Sequence, residues 1–401
     1  MRSTVVAGRA ESSLARSIAG ASSTLEAPQL RRARLDDYDR IQRLGWSYLL
    51  EIPARDDWRR LWLDNPLHAR FGHDLPLGWI LESRSGEVVG TMGTVWAPYR
   101  FRGDELVAAA SRAWFVKAPY RAFALRLMDE YLSQPHVDLF INNAVSVPAH
   151  DLFKQFCDRV PVGQWDAMSY WVTGHAGFMH RKMREGSVPF ASVLAYPVGA
   201  ASWFADFVRT RRPVSAGRSF TIECTDRFDA RFDAFWQELV RSNPERLLAD
   251  RSREGLTWHF GSPMRKGRLW VFTACRNGKL QAYCTLTRQD HAFRLPALPK
   301  GDTQGIRAMR LVDYQSLDAG ADLLSPLLHA ALRRCADEDI YVLEHLGRGV
   351  PKMRVVDECA PHREQLSNWK YYFRAADPRL DSAMHEARFW DPSAYDGDAS
   401  F

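Results

Sequence analysis

The 401-residue chain predicts an α/β (α+β) protein of two domains, each a mixed, mostly antiparallel central sheet flanked by helices. Three observations predict it. Residues 108–132 read as a buried strand, a basic turn and an amphipathic helix. Hairpin signals sit at Ser85-Gly86 and at Asn277-Gly278, the second being the strongest kind of short hairpin dipeptide. The order helix, helix, hairpin, central strand, helix, strand, helix occurs before residue 174 and recurs after residue 219, in pattern rather than in residues. Length agrees, because domains commonly run to about 100–200 residues.

Residues 1–29 are expected to be a disordered leader: they are rich in Ser, Ala and Arg, with Glu11 and Glu26 as their acids. An Arg/Ser-rich transit peptide is the alternative for that composition. The first domain is expected over 30–174. Asp36 caps a helix lined by Ile41, Leu44 and Trp46. A tryptophan-rich helix over 57–63 stops at Asn65-Pro66. The hairpin strands are 78–82 and 87–95, thinned by Gly90 and Gly93 as happens where another backbone or a ligand comes close. The central strand is 108–116. Pro119 then forces a turn, and Phe123, Leu127 and Tyr131, with Ala124 and Met128 beside them, give the next helix an apolar face. A strand over 137–143 and a helix opened by Pro148 follow.

Residues 175–218 are expected to be a linker, whose apolar segment 190–207 is read as too broken by Pro197 and Gly199 to form one helix. The second domain, 219–375, holds a helix over 229–240, the hairpin on Asn277-Gly278, a central strand at 308–312, a helix over 321–335, a strand over 340–346 and a last strand at 369–374. A tail over 376–401 ends the chain.

The two turns after the central strands differ. Lys117 and Arg121 sit where the first-turn N–H groups of a helix lie unpaired, and Arg126 follows one turn on, so this end suits a phosphate. A strand and helix that merely pack are the other reading. The second turn, Asp313 to Asp322, carries three carboxylates and no cation, so its acids satisfy the helix end and repel a pyrophosphate.

The first turn resembles the signature of the GCN5-related N-acetyltransferase superfamily, in which a valine-ending strand, a proline, often a tyrosine, and an arginine precede a glycine-rich loop that cradles coenzyme A. Val116, Pro119, Tyr120 and Arg121 match. The loop departs from the pattern: Ala124 and Arg126 stand where the family has small residues, and glycine normally lets the backbone approach a phosphate. The resemblance covers about residues 30–173. It implies acetyl-CoA or another acyl-CoA as co-substrate, held by Phe115, Val116, Lys117, Arg121, Ala122, Phe123, Ala124 and Arg126. Its pantetheine arm would lie between the strands at 108–116 and 137–142. Phe153 occupies the place of the family's proton-donating tyrosine, so another acid is needed.

Asn143 and Ser146 match an Asn-x-x-Ser found in a subset resembling bacterial polysaccharide-associated acetyltransferases, which makes them candidates for holding the thioester or the acceptor. A turn and a helix cap are their ordinary roles. His150 reads first as a solvated residue and second as a base, and Glu82 and Glu105 are further base candidates that nothing in the sequence separates. The function implied is acyl-CoA-dependent N-acylation of an amine on a sugar or amino-acid-type acceptor, with the first domain carrying the coenzyme. A catalytically degenerate binding protein, or an aminoacyl- or acyl-carrier-dependent transferase of peptidoglycan-bridge type, are the alternatives.

Composition limits other classes. The net charge of +6 is spread along the chain, with no basic and aromatic cluster that marks a nucleic-acid face. Six scattered cysteines without a C-x-x-C pair suggest neither zinc nor a disulfide framework. Glu344 and His345 lack partners at metal spacing, so no metal is expected. No uninterrupted apolar run approaches the roughly 18 residues of a membrane span, and a cytoplasmic protein is expected.

Overall fold

The computed structural model describes residues 26–48, 52–209, 213, 220–289, 306–317 and 322–400. Most of the leader, the end of the linker and Asp318 lie outside the described residues. In chain order the strands are β1 (Gln29–Arg32), β2 (Gly78–Glu82), β3 (Val88–Phe101), β4 (Asp104–Val116), β5 (Leu139–Val145), β6 (Asp158–Arg159), β7 (Gln164–Val172), β8 (Thr221–Thr225), β9 (Leu248–Ala249), β10 (Leu269–Arg276), β11 (Lys279–Arg288), β12 (Ala308–Ser316), β13 (Val342–Arg348), β14 (His362–Gln365) and β15 (Lys370–Ala375). They form two mixed sheets, the expected class.

The chain divides into two compact units. The first takes Met1–Arg55, Pro76–Thr94 and Arg112–Gln134, and the second takes Asp56–Leu75, Val95–Ser111 and Pro135–Phe401. In the first unit the strand order is β1-β2-β3-β4, and the helix Ala124–Leu132 buries Leu127, Met128 and Tyr131. Glycine is required where strands crowd. Gly78, at φ +123°, would put a Cβ 2.2 Å from the Met92 carbonyl oxygen, and Gly93 would put one 2.9 Å from that of Arg112.

In the second unit one sheet runs β4-β5-β15-β6, with β9 on the edge of β3, and the other runs β14-β7-β13-β12-β11-β10-β8. Two of its cores pack Phe232, Phe235, Tyr283 and Phe373 in one cluster and Leu311, Leu327, Leu343 and Val356 in another. The turn Asn277-Gly278 has φ +51° and +74°, the left-handed pair a two-residue hairpin demands.

Several expectations are corrected. The chain does not part within 175–218, because strands are exchanged between its halves: β7 pairs with β13 and β14, whereas β15, expected to close the second half, pairs with β5 and β6. The supposed linker contains the helices His175–Glu185 and Ala191–Arg209, and Pro197 lies inside the second without ending it. Gly199 is a contact rather than a break, since a Cβ there would lie 2.8 Å from the Ala176 backbone. That helix is also, among the described residues, the one long and apolar enough to cross a membrane by length and composition. Ser192, Ser202 and Asp206 interrupt the apolar run in sequence but not in the helix. The tail carries the helix Pro378–Met384 and a segment in which Asp391, Ser393 and Asp396 are buried.

Candidate functional site

In the first unit β4 ends at Val116, and Ala113 adopts φ +53° just before the end, a kink in an otherwise extended strand. The turn that follows is a tight 3-10 segment, Ala118–Phe123, with Pro119 in its first turn, and the α-helix starts only at Ala124. Proline fixes φ near the value this geometry needs. The tightening uses backbone donors that an open helix end would leave free: Tyr120 N–H donates to Lys117 O at 2.8 Å, and Ala124 N–H donates to Arg121 O.

The cations of the turn have separate fates. Lys117 pairs with Glu87, and Arg126 donates to the Pro28 carbonyl at 3.1 Å. Arg121 and Ala122 are exposed, and Arg121 forms no ion pair among the described residues. Phe115 stacks on Tyr48 with ring centroids 5.7 Å apart, and the Tyr48 hydroxyl donates to Val116 O at 2.6 Å. Phe123 and Ala124 are half-buried at the junction of the two helical segments.

Lys117 also lines a cleft of about 310 Å³ bounded by Arg40, Arg43, Ser47, Gly86 and Glu87. Arg40 is held by Asp37 and Glu82, while Arg43 donates to the Asp39 backbone carbonyl and forms no ion pair among the described residues. Glu82 is unsuited to act as a base. Burial would raise its pKa, but the bonds from Arg31 and Arg40 outweigh burial and hold the carboxyl below its usual range.

In the second unit β4 and β5 are parallel for two residue pairs only, Ala108 with Leu139 and Ala109 with Phe140. Ser111 N–H then donates to the Asn142 side-chain oxygen at 2.9 Å instead of to the β5 backbone. The strands have parted. Ala108, Ala109, Ala110 and Ile141 line a small space of about 20 Å³, with Asp250 and His259 on its wall. That is room for about one water.

Asn143 is fully buried and committed. Its amide nitrogen donates to Asp396 O, its amide oxygen accepts from Ala399 N–H at 2.8 Å, and its carbonyl accepts from the Trp165 indole at 2.7 Å. It clasps the C-terminal segment. Gly397, at φ +112°, leaves room for that clasp, since a Cβ would lie 2.8 Å from Asn143 Oδ1. Ser146 is the exposed N-cap residue of the helix Val147–Phe156, without a side-chain cap bond.

His150, on that helix, has Nδ1 2.5 Å from the hydroxyl of Tyr372 on β15, and Phe153 stacks on the same tyrosine at 5.9 Å. Burial raises the Tyr372 pKa, so the phenol keeps its proton. Sequence reading missed Tyr372. Its cross-strand partner on β5, Asn142, is 230 positions away in the chain, and no local pattern connects the two. Glu105 is spent on Arg70 and Arg100.

The chain's other charged clusters are structural. Arg251, wholly buried, binds Asp313 at 2.8 Å and Asp396 at 3.2 Å. Asp313 therefore belongs to a strand and a core ion pair, not to the acidic turn expected of it. Burial would raise its pKa, yet Arg251 holds it down at about 2. Glu344 is likewise buried against Arg310. Asp158, Asp381 and His385 bring ligand atoms within 4.8 Å of one another in an exposed to half-buried cluster, but such acidic surface groupings are common without an ion.

No family model and no curated protein matches the chain. Among solved structures, the chain is similar to Saccharomyces cerevisiae N-myristoyltransferase with bound myristoyl-CoA, at a TM-score of 0.53 and 10% identity, over 88% of this chain and 79% of that one. A second structure of the yeast enzyme, with myristoyl-CoA and inhibitors, gives 0.52 and 9% over 87% and 80%. A GCN5-related N-acetyltransferase from Anabaena variabilis gives 0.46 and 11% over 87% and 73%. At such identities the likeness is one of fold, and the chain shares its fold with the yeast N-myristoyltransferase structures.

Proposed function

We propose that the protein is an acyl-CoA-dependent N-acyltransferase that acylates an amine of a small sugar or amino-acid-type acceptor. The observation that carries the reading is the parting of β4 and β5 after two parallel pairs. Strands that separate leave backbone donors and acceptors able to pair with an extended amide-bearing arm, as an added strand would. Pantetheine is such an arm.

The residues fit the co-substrate in part. Exposed Arg121, and Arg43 and Lys117 at the neighbouring cleft, supply cations for its phosphates. When bound, the coenzyme supplies an activated thioester. The protein's share is to orient it, accept the ammonium proton and give a proton to the departing thiolate. His150 suits the proton transfers: with Nδ1–H donating to the Tyr372 hydroxyl oxygen, the imidazole is held in one orientation and Nε2 is left to accept the ammonium proton and pass it to the departing thiolate. Asn143 and Ser146 are assigned to the acceptor side, Asn143 by positioning segment 396–399. The six free thiols agree with a cytoplasmic setting.

The engagement of Lys117 by Glu87 and of Arg126 by Pro28 favours, as a second reading, a protein that binds the ligand without catalysis. The two are separated by release of free thiol from acetyl-CoA in the presence of a panel of amino sugars and amino acids. Turnover with one acceptor class, falling about 10²- to 10⁴-fold in His150→Ala, is expected for the enzyme. Binding without thiol release from any acceptor supports the second reading.

A further inference from the structure

The helix Ala191–Arg209 turns only a narrow stripe to the protein. Ala191, Ala195, Gly199 and Asp206 are buried on it, and the stripe fits the neighbouring helix His175–Glu185 at backbone contact. The rest of its surface is mostly apolar and, among the described residues, uncovered: Val193 is 69% exposed, Tyr196 72%, Trp203 50%, Phe204 62% and Val208 66%. Among these residues the sole acid, Asp206, faces inward, where His175 and His362 each lie 2.9 Å from the same carboxylate oxygen. A face of this size is rarely left to water.

Cations border it. Arg181, Lys182 and exposed Arg184 precede the helix, Arg209 ends it, and the sequence continues Arg211-Arg212. Over 180–212 that makes six Lys and Arg against two acids, Glu185 and Asp206. An apolar helix with aromatic residues, edged by arginines, has the chemistry of the boundary between acyl chains and anionic headgroups.

We infer that this helix seats the protein on the surface of an anionic phospholipid bilayer, lying in the plane of the interface with Val193, Tyr196, Phe204 and Val208 inserted. It does not span. The Asp206 bonds to His175 and His362 tie its C-terminal third to the protein, and crossing would carry Arg181, Lys182 and Arg184 of the packed neighbour into hydrocarbon, which is strongly unfavourable. The inference stands apart from the acyltransferase reading.

The test is flotation of the full chain with vesicles of phosphatidylglycerol and phosphatidylcholine, beside vesicles of phosphatidylcholine alone. Binding to the anionic vesicles, weakened by salt, is expected. Tyr196→Glu with Phe204→Glu, both at exposed positions, should lower it at least about tenfold, and Arg184→Glu with Arg209→Glu about 25-fold or more, at roughly fivefold per cation removed. Circular dichroism checks that the variants stay folded. No flotation, equal flotation with both vesicle types, or flotation untouched by either pair of changes would overturn the inference. So would a sedimentation dimer that Phe204→Glu dissolves in a chain that binds no vesicles, because the face would then belong to a second copy.

Discussion

β4 and β12 are both central strands with a parallel neighbour, and they end differently. The β4 ladder to β5 stops after two pairs and the strand kinks at Ala113, whereas β12 stays paired with β13 for four, from Ala308 with Val342 to Leu311 with His345. Beyond β4 the turn presents exposed Arg121. Beyond β12 the helix start is satisfied by Asp322, which accepts from Ser325 N–H at 3.1 Å. The charges of the second strand turn inward, Asp313 to Arg251 and Arg310 to Glu344. The same strand, turn and helix thus ends in an exposed cation in one case and in inward-paired charges in the other, and the placement of two or three charges makes the difference.

The largest effect is expected where the scaffold is breached. Arg251→Leu leaves Asp313 and Asp396 buried without their cation, and should destabilise the protein by about 3–5 kcal/mol in urea unfolding. Stability equal to the native chain would show that the network is dispensable.

A somewhat smaller effect is expected from pH. His345 is buried, and burial lowers its pKa to about 4, while the unfolded side chain titrates near 6.5. Between these values the unfolded state binds the extra proton, so this contribution is complete above about pH 6.5 and falls as pH drops toward 4. The loss is about 3 kcal/mol in all. His345→Leu should flatten the stability profile in that window, and an unchanged slope would place the titration elsewhere.

The smallest change is at the turn. Ala124→Gly removes the methyl at the helix start and should strengthen acyl-CoA binding up to a few-fold, read as a larger thermal shift at fixed ligand concentration. Weaker binding would show that this backbone does not approach the phosphates.

Local chemistry made much of this legible. The Asn277-Gly278 hairpin, the crowding at Gly93 and the apolar face of Leu127 and Tyr131 all follow from short-range rules that the structure obeys. What the sequence hid was pairing across long separations. β15 joins β5 rather than the sheet of β12 and β13, and with it Tyr372 reaches His150. Asp313 read as a loop acid because its partner, Arg251, lies far away in the chain. Pro197 and Gly199 read as breakers because the helix that receives Gly199 could not be seen from composition.

The account turns on β4 carrying the coenzyme site and β12 not. Titration calorimetry with acetyl-CoA on the native chain, Arg121→Glu and Asp322→Lys measures this directly. Binding by the native chain, lost in Arg121→Glu and kept in Asp322→Lys, is the predicted result. Equal losses from the two changes, or no heat of binding in the native chain, would contradict it.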